Sequence, residues 1–155
     1  MKKIIAIMLS VLTLTLVCTG CKPKVDPYEG LYGTYNMVEN GTEVYSGGNS
    51  LHPDWWPKAI DDYIADIKEK AGKTIEITKD KIKFSGGSVE VELEHNLKGS
   101  NIYYDRDLAR SLGLNFFMSS VEFVTFKNDT IYQLETHEYP TIDGIEYYIR
   151  FFYLK

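Results

Sequence analysis

Few side chains in this chain are placed to do chemistry. Cys18 and Cys21 stand three apart in LTLTLVCTGCKPK, and no other cysteine occurs. A C-x-x-C pair can shuttle a disulfide or supply half of a zinc site. The first use needs a βαβ unit close by, and the second needs two more ligands at suitable spacing. The surrounding sequence offers neither. His52, His95 and His137 make no metal-ligand spacing with one another or with a carboxylate on a helix, so no metal and no other cofactor is expected.

Glu135 and His137 lie two apart on one predicted strand face and form the best acid–base couple available. A solvated strand face is the simpler reading of that pair. His95 falls on the apolar register of its strand and reads as a hydrogen-bonded core residue; His52 reads as exposed. Glu90, Glu92 and Glu94 form an acidic row that lacks the converging ligands calcium requires, and reads as a wet outer face. G-x-S-x-G, P-loop and dinucleotide fingerprints are absent, and Gly47-Gly48 and Gly86-Gly87 read as turns. No set of base, nucleophile and oxyanion donors can be assembled, so an enzyme is not expected. The aromatics Trp55, Trp56, Tyr103, Phe116 and Phe117 are the candidate ligand-binding residues, with core filling as the competing role.

The elements that must position these residues are mostly strands. LYGTYNMVE predicts a first strand, and Asn40-Gly41 predicts a tight hairpin to TEVYS. Residues 54–71 predict a helix, with Trp56, Ala59, Ile60, Tyr63, Ile64, Ile67 and Ala71 on one face, Asp54 as cap and Gly72 as stop. TIEIT and KIKFS flank a turn at Lys79-Asp80, and Val89 to Leu97 alternates apolar and polar. Asp105 to Leu112 predicts a short capped helix. Hairpins follow at Asn128-Asp129 and Asp143-Gly144, and YYIRFFYL ends the chain as a strand covered on both faces. About nine strands joined by tight turns predict an antiparallel meander that closes into a barrel. The alternative is α+β, a curved antiparallel sheet packed on the helix.

The first residues predict an address. Lys2 and Lys3 precede fourteen uncharged residues, Ile4 to Val17. That is shorter than the ~20 residues a spanning helix needs and fits a secretory signal. Thr19-Gly20-Cys21 resembles the bacterial lipobox, although Cys18 stands where that family prefers an aliphatic residue. The resemblance implies cleavage between Gly20 and Cys21, and a diacylglycerol with acyl chains such as palmitate on Cys21. Residues 1–20 would then be the signal peptide, 21–29 a lipidated tether and 30–155 one domain. The membrane, reached through that anchor, is the first expected partner. The expected location is the cell envelope, the outer membrane ahead of the inner. Losing Lys2 and Lys3 from 17 basic residues leaves 15 against 22 acidic ones, a formal charge of −7. A nucleic acid is therefore not an expected partner.

YGTYNMVE carries a glycine two residues before an aromatic, Gly33 and Tyr35. With the aromatic-flanked arginine of YYIRFFYLK, it resembles the two ends of small bacterial lipoproteins with a lipocalin-like domain. The resemblance implies a lipocalin-like barrel, with Arg150 lying over Tyr35 to close it. It also implies noncatalytic binding of a small apolar or amphipathic ligand. The alternative from a different class is a protein-interaction role, as an inhibitor or an accessory subunit of an envelope complex. Asp129-Thr130-Ile131 resembles a short bacterial O-glycosylation motif, on which nothing further rests.

Overall fold

The computed structural model describes residues 26–116, 121–125 and 132–155. Cys18, Cys21, Phe117, the Asn128-Asp129 turn and Asp129-Thr130-Ile131 lie outside them. The strands are β1 (Gly33–Met37), β2 (Glu43–Ser46), β3 (Asn49–Leu51), β4 (Thr74–Ile77), β5 (Lys81–Ser85) and β6 (Val91–Lys98). They continue with β7 (Asn101–Tyr104), β8 (Val121–Thr125), β9 (Tyr132–Glu138), β10 (Thr141–Ile142) and β11 (Ile145–Leu154). Helix α1 covers Lys58–Lys70 and α2 covers Arg106–Ser111.

The fold is mostly β, an antiparallel meander closed into a lipocalin-like barrel. Strands β1, β4, β5, β6, β7, β8, β9 and β11 pair in that order, and β11 returns to β1 through Asn36 opposite Leu154 and Met37 opposite Tyr153. The long amphipathic helix and the short second one are both present. Closure through β11 removes the open sheet edge that would otherwise need cover.

Asn40-Gly41 does not make the predicted hairpin, and β2 does not return along β1. Both strands run antiparallel to β11 in one line, with Met37 opposite Tyr153 and Glu43 opposite Arg150. Between them the Val38 N–H donates to the Phe152 carbonyl and the Gly41 N–H to the Val38 carbonyl. Residues 38–42 are thus a bulge in one interrupted strand. Neither Asn40 nor Gly41 has the positive φ that a two-residue primed turn requires. The hairpin comes later, between β2 and β3, where Gly47 and Gly48 take φ of 56° and 81°. The ten-residue β11 holds β1 along its second half and β2 along its first, so β2 and β3 extend the wall past the barrel rim.

Helix α1 starts at Lys58, four residues later than predicted. Trp56 precedes Pro57 and is extended (φ −69°, ψ 133°), as a residue before proline tends to be. That separates a 3₁₀ turn at Pro53–Trp55 from the helix, and Asp54 caps nothing. Ile60, Ile64, Ile67 and Ala71 are buried as the periodicity predicts, while Ala59 is exposed. The last helical carbonyls are satisfied from outside: Ser88 and Val89 N–H groups donate to Glu69 and Lys70. The helix therefore lies across the end of the barrel where β5 turns into β6. Helix α2 is capped as predicted, by Asp105 Oδ1 accepting from the Asp107 and Leu108 N–H groups. At the opposite end Leu31 is buried within a 3₁₀ turn, and the Tyr35 hydroxyl donates to its carbonyl at 2.6 Å.

Candidate functional site

A closely packed core occupies the described part of the barrel interior. Tyr35, Ile75, Phe84, Ile102, Leu134 and Phe151 are 0% exposed, so no water-sized void touches them. His95 is buried, and its Nε2–H donates to the Thr78 carbonyl at 2.9 Å, the core role read from the alternation. The nitrogen must carry the proton, because a carbonyl only accepts. At the α1 end the buried Glu138 accepts from the Tyr63 hydroxyl at 3.0 Å. Burial first, then the Glu138 charge, holds the Tyr63 phenol well above its usual range. Among the described residues no three His, Cys, Asp or Glu side chains stand together as a metal would require.

Among the described residues, the four predicted site aromatics Trp55, Trp56, Tyr103 and Phe116 do not converge. Trp55 is 76% exposed and meets only the His52 ring among its ring contacts. Trp56 packs on the core and donates its indole N–H to the Leu51 carbonyl. Tyr103 points outward from β7. Phe116 is buried edge-on against Tyr63 of α1. Trp56 and Phe116 serve packing, while Trp55 and Tyr103 face solvent.

Arg150 does not lie over Tyr35. Tyr35 faces the interior, while β11 alternates so that Ile149 and Phe151 face in and Arg150 faces out. The cation over Tyr35 is Lys155, its Nζ 5.9 Å from the ring centroid and bonded to the Gly30 and Tyr32 carbonyls. Gly33 makes room for it. A Cβ there, at φ +145°, would stand 2.6 Å from Lys155 Cε. The seam consists of Gly33, Tyr35 and the terminal lysine.

Arg150 instead centres a cluster on the outer wall, built from β2, β11 and β9. Its guanidinium carbon lies 5.7 Å from the Tyr45 and Tyr148 ring centroids and 5.6 Å from that of Phe152. Its Nη1 is 3.7 Å from Glu43 Oε2 on one side and 3.7 Å from Glu135 Oε2 on the other. Burial pulls the Arg150 pKa down, but the Tyr148 oxygen and the Glu135 charge outweigh it and hold the group above its usual value. Glu135 also lies 3.7 Å from His137 Nε2, and accepts from the Gln133 amide at 2.9 Å. The Glu135 and His137 side chains are only 13% and 11% exposed. Their face is therefore not the solvated one expected from the sequence, because the Tyr148 ring meets His137 edge-on at 5.4 Å.

Beside this cluster lies an open groove of about 350 Å³, bounded by Tyr45, Gly47, Gly48, Tyr139, Glu146 and Tyr148. Tyr139, Tyr148 and Tyr45 stand in a row with centroid spacings of 5.1 and 5.6 Å. Tyr139 is 67% exposed. The Tyr45 hydroxyl donates to Glu43 at 2.7 Å, which together with burial raises its pKa. The site offers flat apolar faces, carboxylate acceptors and a guanidinium within one patch. The signal for it was the outward register of β11, β9 and β2 taken together, a pairing that only the β2–β11 contact reveals.

No family model, curated protein or solved structure matches this chain.

Proposed function

We propose that this chain is a noncatalytic binding protein of the bacterial envelope, a small lipoprotein tethered through Cys21, that takes an amphipathic ligand on the outside of its barrel. Supporting the anchor are the basic start, the short apolar run and Thr19-Gly20-Cys21. The observation that carries the binding reading is an open, three-tyrosine groove on the outer wall beside a closely packed described core. A tightly packed core favours a wall as the place for a ligand, and tyrosine supplies large contact area at little entropic cost. Exposed Tyr139 and Trp55 also favour a second reading, a protein partner in an envelope complex, because such aromatics anchor interfaces.

The test is native mass spectrometry of full-length protein extracted from its host membrane, before and after denaturation. The expected result is a mass lost on denaturation from wild type and missing from Tyr139→Ala. A bound mass that survives Tyr139→Ala would move the site off this wall. Cys21→Ala is expected to lose its acyl mass and leave the membrane fraction.

A further inference from the structure

Resting on the reading that the outer wall is the binding site, we infer that its ligand is a neutral glycan, with a pyranose ring stacked on the exposed Tyr139. A pyranose has a face of C–H groups and a rim of hydroxyls. The face of an aromatic ring carries the negative part of its quadrupole and attracts weakly positive C–H groups. Tyr139, Tyr148 and Tyr45 lie against one another, tilted by 32° and 39°, so Tyr148 backs the row and the 67% exposed Tyr139 is the ring left open to a ligand. The groove beside them, bounded also by Gly47, Gly48 and Glu146, is the trough.

The rim of a sugar needs paired donors and acceptors, and the trough has them alongside. The Glu43 and Glu146 carboxylates and the Tyr45 hydroxyl accept, and the partly exposed Arg150 guanidinium donates. Planar two-point groups of this kind suit adjacent hydroxyls.

Charge narrows the class. Arg150 already has Glu43 and Glu135 at 3.7 Å, and Glu146 adds another negative group at the groove. A phosphate or uronate would meet more negative than positive charge. A fatty chain would gain little from a trough this open to water and rimmed by carboxylates. The Gly47-Gly48 turn leaves the side of the trough unobstructed, since nothing lies within 4 Å of a Cβ built at either residue. A chain can therefore run past it, and internal residues of a polymer fit as well as ends.

The experiment is affinity electrophoresis of the full-length protein in detergent, through gels holding an α-glucan, a β-glucan, a mannan or a xylan. A polyuronate gel serves as the anionic comparison. At least one neutral polymer is expected to retard the protein, and Tyr139→Ala is expected to weaken that binding about tenfold or more. Tyr148→Phe, which keeps the ring, should bind, and Glu92→Gln on another wall should bind as wild type does. Tyr139 is exposed, so its loss leaves the fold intact, with near-ultraviolet circular dichroism as the check. Retardation by no neutral polymer, stronger retardation by the polyuronate, or full binding by Tyr139→Ala would overturn the inference. If the neutral polymers fail while a photo-crosslinker at position 139 captures one envelope protein, the glycan is wrong and the outer-wall site stands. If both fail, the site falls with it.

Discussion

Two outer walls of one barrel carry similar residues and treat them differently. On β5 and β6 the outward positions hold Lys81, Lys83, Glu92 and Glu94. Lys81 pairs with Glu92, and Lys83 pairs at 2.7 Å with Glu90 just before β6. These side chains stay wet, and the acidic row read from the sequence is what it seemed. On β9 and β11 the outward positions hold Glu135, His137 and Arg150, but the β2–β3 extension and a row of tyrosines cover them. The same alternation thus yields a solvated face in one place and, in the other, a charge cluster in which Glu135 and His137 are covered and Arg150 is partly exposed. What separates the two is a neighbouring strand, supplied from a distant part of the chain.

That contrast can be broken most forcefully at Arg150. Arg150→Ala removes a stem packed among three rings and leaves Glu135 with one partner fewer. A loss of roughly 2–4 kcal/mol is expected in urea unfolding. A loss near zero would mean that the wall is as wet as the other.

Tyrosines sharpen the comparison by pH. A phenol whose folded pKa is raised contributes stability that is full below about pH 10 and is lost as pH climbs through the raised value. Tyr63, held up by burial and by Glu138, belongs to this class. Melting temperature should therefore fall above about pH 10. Tyr63→Phe should start less stable, with Glu138 missing a donor, and then fall less steeply. Parallel falls in the two proteins would show that Tyr63 is not held.

The smallest effect is expected on the wet wall. Lys81→Ala should change stability by no more than about 0.5 kcal/mol, and less in high salt. A larger cost would erase the distinction between the walls.

Much of the fold was legible because it is written at short range. Period-two alternation from Thr74 to Leu97, the turn at Lys79-Asp80, the cap at Asp105 and the ten-residue β11 all appear where local pattern places them. The main local misreading was Asn40-Gly41, a strong turn signal that became a bulge because β11 is long enough to hold β1 and β2 end to end. The candidate site was hardly legible. Glu135 and His137 could be paired from their spacing, but their burial could not. Trp55, Trp56, Tyr103 and Phe116, read as pocket residues, do not come together, and Lys155 stands over Tyr35 where Arg150 was expected.

The sequence by itself determined the alternation of each strand, the amphipathic face of α1 and the acidic balance of the chain. Each depends on neighbours a few residues apart. Only the tertiary structure decided that the barrel closes through β11, that Lys155 lies against Gly33 at the seam, and that Tyr45, Tyr148 and Phe152 surround Arg150. The β1–β11, Gly33–Lys155 and Tyr45–Tyr148 contacts join residues about a hundred positions apart. Their register is set by strand pairing and burial, which no local pattern encodes.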